Sequence, residues 1–414
     1  MNMITKKHSK LQKLITISII FILTCTITTS ALNNKSIDSK NQISKYNYNL
    51  ELIKSNSKAF ILTTDYSSSS FSTIDLENPD IVDLDIASTN GDDEVRFYKG
   101  KVYVLNRYGF DLIEVFDSEN DFEKIFEFST GDGSNPQDIA FISEDKAYVS
   151  CYDKTDLLIV NPSSGEHLGS INLSEFSDDD GIPEMHKMVE FKFLGYSRVY
   201  LTIQRLDRNN WFEPTDKSYI LEIDGDRDKV INAIQLTQVN PSTTLVIDGL
   251  HILIGEVGSW SDYDDGGIER IGIFSNEAEG FIVSEADVSG NIIDFEIYPK
   301  YTGLKGIILS YLDTRLGFML LNRNLYTIVS DQSFNTSLIS YNLKDKTTTF
   351  LISTSGYQLS DLALNNDRGL LYISDRTTDA DGIQIFDTKT NEKLTDIPIN
   401  VGNFPPVHIT FCEN

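Results

Sequence analysis

Short apolar strands in groups of four, recurring about every 40 to 50 residues and about seven times over, predict an all-β chain. The architecture they predict is a seven-bladed β-propeller with four-stranded antiparallel blades. Two further observations point the same way. Val, Ile, Tyr, Phe and Thr dominate the strands, with little helical periodicity. The chain also ends on a strand of the kind its first unit lacks. The C-terminal strand is therefore expected to join the N-terminal blade and leave the ring without a free edge.

Each unit is built from runs that can be read in order. The first runs are Lys58 to Thr64, Lys101 to Leu105, Lys146 to Cys151, Arg198 to Ile203, His251 to Ile254, Leu325 to Val329 and Leu370 to Ser374. Their central residues, Phe60, Tyr103, Tyr148, Tyr200, Ile252, Tyr326 and Tyr372, are spaced by about 43, 45, 52, 52, 74 and 46 residues. After a polar loop comes a second run ending in Asp, Asn or Ser, as in Leu112 to Asp117 and Leu338 to Asn342. Those residue types suit turns because their side chains accept from backbone amides two residues on. A third run follows in most units, for example Lys124 to Phe128 and Thr347 to Ile352. A fourth element precedes each first run, as in Pro136 to Phe141, Ser360 to Leu364 and Pro406 to Phe411. The long spacing before Tyr326 reads as an insertion in one blade, with a degenerate eighth blade as the alternative.

The 414 residues are 40% apolar, which suits a folded chain rather than a disordered one. Asp and Glu number 62 against 35 Lys and Arg, a formal charge of −27. Nucleic acid and anionic lipid surfaces bind through basic side chains, so neither is an expected partner. Three cysteines exclude a disulfide scaffold and any four-Cys metal site.

Residues 1–31 read as an export signal. Lys6, Lys7, Lys10 and Lys13 precede an apolar stretch from Leu14 to Thr24, and Thr29-Ser30-Ala31 offers a cleavage site. An uncleaved anchor is the alternative, because residues 14–34 carry no charge. Ile22-Leu23-Thr24-Cys25 resembles a lipobox, which makes Cys25 the alternative lipidation site; Thr24 departs from that pattern. Residues 32–57 read as a polar linker and 58–414 as the propeller domain. The expected localisation is exported: periplasmic, extracellular or at the cell surface.

The unit from Asn135-Pro-Gln-Asp-Ile-Ala-Phe through Ala147-Tyr-Val-Ser-Cys151 to Gly165 resembles the YVTN-type β-propeller repeat, Tyr148-Val-Ser matching its eponymous tripeptide. Leu371 to Lys393 matches it again. That family includes seven-bladed YncE-like periplasmic proteins, surface-layer proteins and bacterial lipoproteins. The resemblance covers roughly residues 58–411 and implies fold and export; it assigns no chemistry.

Asp224-Gly-Asp226-Arg-Asp228 begins with the alternation of a calcium loop, but Lys229 and Gln235 stand where a glycine and a glutamate are needed. The acids at 178–180 and at 262, 264 and 265 read as solvated loops, so no metal site is expected. His8, His167, His186, His251 and His408 show no paired spacing, and no loop assembles a nucleophile with its base. Neither a catalytic set nor a cofactor is expected.

The remaining candidate is a ligand surface at the axial mouth, where loops following the first runs converge. Arg107, Tyr152, Gln204, Arg205, Glu256, Asp331 and Arg376 are the expected polar groups there, with Trp211 and Trp260 as aromatic anchors. The sequence thus reads as a monomeric, non-catalytic binding module for a protein or small molecule at the propeller mouth, contacting membrane only through an N-terminal anchor. A propeller hydrolase of lactonase type, with its site at that mouth, is the alternative.

Overall fold

The computed structural model describes residues 57–193, 195–303, 305–307, 309–310 and 322–413. The expected export signal, Cys25 and all of the linker except Ser57 lie outside these residues. The described chain forms seven antiparallel sheets arranged as the blades of a propeller. The innermost strands are Pro406–Cys412, Asp93–Tyr98, Pro136–Ser143, Met185–Phe193, Val246–Asp248, Asn291–Tyr298 and Leu359–Asn365, in blades 1 to 7. Each first run of the sequence is the second strand from the axis.

Blade 1 is closed as the sequence predicts. Pro406–Cys412 pairs antiparallel with Lys58–Thr64, so chain end and chain start share one sheet. Blade 7 has three regular strands. Its outer position is taken by chain that forms no regular strand and joins the sheet through the bridges Phe386↔Lys393 and Ile383↔Ile399 and the Leu394 amide, which donates to the Ile385 carbonyl at 2.8 Å. The long spacing before Tyr326 comes from the connection 299–323 between the two inner strands of blade 6, and not from an eighth blade.

The repeated aromatic position explains how the blades adhere. Phe60, Tyr103, Tyr148, Tyr200, Tyr326 and Tyr372 are among the largest fully buried side chains. Several reach across to the outer turn of the next blade. Tyr103 donates to the Pro162 carbonyl at 3.2 Å, Tyr148 bonds Asp228, and Tyr326 donates to the Thr388 carbonyl at 2.8 Å. Phe60, without a hydroxyl, packs instead on Phe122 of blade 2. A strand alternates its side chains, so one position per repeat can fill the wedge between blades while its hydroxyl finds an acceptor.

The topology gives the ring two unlike faces. Loops from second to third strand, and connections from one blade to the next, emerge on one face, here the loop face. The hairpins between first and second, and third and fourth, strands, with the longer connection 299–323 in blade 6, join their strands on the other.

Candidate functional site

The inner strands enclose an axial cavity of about 280 Å3. Bulges re-aim residues in several of them, with register shifts at Pro136/Asp138, Met185/Met188, Ile292/Asp294 and Leu359/Asp361. The lining includes Glu94, Arg107, Lys187, Asp294, Asp361 and His408, drawn from five blades.

One side of the cavity is a paired charge network. Lys187 pairs with Glu94, and Arg96 reaches Glu94 at 3.0 Å and Asp138 at 2.8 Å. Asp138 also accepts from the Met188 amide at 2.8 Å, tying blade 3 to blade 4. Arg107 pairs with Asp92 at 2.5 Å and donates to Gln137 at 3.1 Å. Burial raises the cost of charging Glu94, yet His408, Lys187, Arg96 and Arg107 outweigh it and hold the carboxyl well below its usual range.

The other side is acidic. Asp294 accepts from the amides of Phe295 and Thr244 at 2.9 and 3.3 Å, and Asp361 accepts from the Ile409 amide at 2.7 Å. Burial lifts Asp294 to about 6. Burial, reinforced by the charges of Asp294 and Glu94, holds Asp361 well above the usual carboxylate range. His408 sits between the two sides, 3.8 Å from Glu94 and 3.9 Å from Asp361, and burial drives its imidazole down to about 4. The cavity thus sets an imidazole held low beside a carboxyl held high.

Among the residues expected at the mouth, only Arg107 lines this cavity. The loops after the first runs leave from the second strand, one strand spacing of about 4.8 Å further from the axis than the inner strand. Gln204 is buried and donates to Asn240 at 3.0 Å. Glu256 is fully buried, accepts from the Gln238 amide at 2.6 Å and faces Glu269. Asp331 closes its own turn through the amides of Ser333 and Asn335. Arg205 meets Asp216 at 3.2 Å, and Arg376 donates to the Tyr66 hydroxyl at 2.7 Å. Trp211 and Trp260 are 91% and 43% exposed, and Trp260 donates its indole N–H to the Phe212 carbonyl at 2.8 Å.

The sequence reading passed over Arg208. Its guanidinium meets Glu184 at 2.7 Å and Asp153 at 2.6 Å, and lies 5.4 and 5.6 Å from the rings of Tyr152 and Phe212. Asp178, Asp180 and Glu184 bring carboxylate oxygens within 4.8 Å of one another, the arrangement nearest to a metal site among the described residues. Arg208 already supplies positive charge to that group. Glu94, Arg96, Lys187, Asp294 and Asp361 were also missed. Their signal was a polar residue at a matched place inside an apolar inner strand, visible in Pro136-Gln-Asp138 and Ser360-Asp361.

Exposed large apolar side chains divide by location among the described residues. Ile81, Leu84, Ile125, Leu168, Ile231, Leu394 and Ile397 lie on or beside the outer strands, where Phe350 is the aromatic exception. On the loop face all are aromatic: Tyr66, Tyr108 and Phe110 in blades 1 and 2, Trp211, Phe212 and Trp260 in blades 4 and 5, then Phe334 and Tyr357. Tyr66, Trp211, Phe212 and Phe334 have φ of 68°, 59°, 58° and 59°, a left-handed backbone that costs about 1–2 kcal/mol per residue.

No protein-family profile matches the chain, and no curated protein matches it. Solved structures do. A proposed 6-phosphogluconolactonase of Bacteroides uniformis has a TM-score of 0.57 at 12% identity, over 86% of this chain and 99% of that one. A proposed 6-phosphogluconolactonase of Bacteroides fragilis gives 0.54 at 12% identity, over 86% and 98%. AztD of Citrobacter koseri gives 0.47 at 10% identity, over 86% and 97%. At these identities the likeness of the first two establishes the propeller fold alone.

Proposed function

We propose that the chain is an exported or surface-anchored propeller acting as a non-catalytic binding module, with the loop face as its recognition surface. The observation supporting this reading is the concentration of exposed aromatic rings on one face, four of them in left-handed loop positions. Trp211 and Phe334 hold a strained backbone while 91% and 63% exposed, and exposed aromatic residues of this kind supply much of the energy in interfaces. The test compares the intact protein with a Trp211→Ala/Phe334→Ala variant and with Phe350→Ala in retention of exported proteins and wall polymers. A ligand kept by Phe350→Ala and lost by the double variant supports the reading. A ligand held equally by all three overturns it.

The axial cavity favours a second reading, a hydrolase of lactonase type, because His408 and Asp361 form an acid–base pair beside Lys187. Lactone turnover abolished by Asp361→Asn with an unchanged melting curve would favour that reading over the first.

A further inference from the structure

We propose that the loop face receives a Lys- and Arg-rich extended polypeptide, whose cationic side chains seat on exposed aromatic rings beside loop carboxylates; this rests on the reading of that face as the recognition surface. The face already binds guanidinium groups of its own in this way. Arg208 lies over Tyr152 and Phe212 while paired with Asp153 and Glu184. Arg376 lies 4.8 Å from the Tyr66 ring centre and donates to its hydroxyl. A ring face attracts a cation, and an adjacent carboxylate fixes it.

Elsewhere on the face the same components stand without the cation. Trp260 shares a loop with Asp262 and Asp264, and among the described residues neither acid has a Lys or Arg partner. The hydrogen bond to Asp262 and that residue's charge raise Asp264 above the ordinary carboxylate value. A cation arriving there would relieve the repulsion.

The charge of the two faces differs in the same sense. The blade-to-blade connections 90–92, 130–135, 173–184, 236–245, 285–290 and 354–358, all on the loop face, contain no Lys or Arg, and the loops from second to third strand on that face carry Arg107, Lys154, Arg205, Arg208, Lys217 and Arg376 among twelve Asp and Glu. The opposite hairpins carry Lys99, Arg227, Lys344, Lys346, Arg368 and Lys389. A basic partner is therefore steered to the loop face and not to its opposite. The exposed rings are distributed over five blades, too widely for one small cation and suited to a chain presenting several. A nucleic acid would be repelled, and a neutral glycan would not be steered by the charge of the face.

Both tryptophans of the chain lie on this face, so intrinsic fluorescence reports on it directly. The intact protein is titrated with a short synthetic peptide alternating Arg and Ala, a matched Glu and Ala peptide, and a neutral chitin oligomer. The expected result is a saturable change with the Arg peptide alone. Its affinity should fall roughly 10-fold on raising salt from low to high ionic strength. Phe212→Ala/Phe334→Ala and Asp262→Asn/Asp264→Asn should each weaken it by a similar factor, and Phe350→Ala should not. Equal binding by the aromatic variant would mean adsorption to an acidic protein and would overturn the proposal, as would no response to the Arg peptide. If the Glu peptide or the oligomer binds instead and the aromatic variant loses it, the face remains a recognition surface and only the cationic class fails.

Discussion

At the axis, Lys187 and Arg96 are matched to Glu94 and Asp138, and Asp361, with no Lys or Arg partner, is held well above the usual carboxylate range. On the loop face, Asp262 and Asp264 stand unmatched beside Trp260, and Trp211 is almost wholly in water. The same residue types are thus arranged under two different rules. A buried charge must be paired or neutralised, because leaving it alone costs several kcal/mol. An exposed charge or ring carries no such obligation, so where it stays unmatched the fold gives no reason for its placement. The axis therefore reads as chemistry committed to holding blades together, and the loop face as chemistry left available.

The comparison breaks most severely if the ring itself is opened. Removing residues from Pro406 onward takes the inner strand of blade 1 and His408 from the axis, and exposes the pairing edge of Lys58–Thr64. The melting temperature should drop by on the order of 10 °C or more, or cooperative melting should vanish, as read by calorimetry. A trimmed chain melting like the full one would refute closure as a source of stability.

Next in size is the axial network. Lys187→Met partly strands the buried Glu94 carboxylate, leaving Arg96 as its paired cation, and should cost about 1.5–3 kcal/mol in denaturant titration. Adding Glu94→Gln should recover part of that loss, since the stranded charge goes with it. A Lys187→Met penalty below about 1 kcal/mol would show that these charges are solvated rather than structural.

A smaller effect comes from pH. Burial, reinforced by Glu269, holds Glu256 well above the carboxylate range, and burial lifts Glu285 to about 8 and Glu184 to about 7. Each binds its proton more tightly folded than unfolded. Its contribution is complete below the unfolded value and is lost as pH rises through the folded one. Glu94 and His408 have the opposite sign: Glu94 weakens the fold as pH falls below the ordinary carboxylate value, and His408, driven down to about 4, offsets part of the decline below about pH 6.5. The melting temperature should therefore decline from about pH 5 to about pH 8. Glu256→Gln, which keeps an acceptor for the Gln238 amide and donates to Glu269, should flatten that decline. It should melt about 2 °C above the parent at the upper end and level with it at the lower. A decline as steep in the variant as in the parent would remove Glu256 as its source.

The smallest effect sharpens the contrast from the other side. Trp211→Ala should change stability by less than about 0.5 kcal/mol, because the side chain is already solvated. A large loss would mean that the ring supports the loop, and the face would lose its claim to be available.

Much of this architecture was legible in the chain. The alternating runs, the large buried side chain of each first run, tyrosine in five of the seven, and the surplus strand at Pro406 are local or periodic features, and strand period and turn chemistry act over a few residues. The candidate site was legible in type and not in place. Arg107 was anticipated at the axis, whereas Gln204, Glu256 and Asp331 are taken up by Asn240, Glu269 and their own turn. Which side of a strand faces the axis depends on bulges at Asp138, Asp294 and Asp361, and these shift the pleat by one residue.

By itself the sequence determined the strands, their grouping in fours and the joining of the two ends, because each depends on neighbouring residues repeating one pattern. Only the tertiary structure decided which charges meet. Glu94, Lys187 and His408 come from blades 2, 4 and 1, and closing the ring brings them together where burial compels pairing.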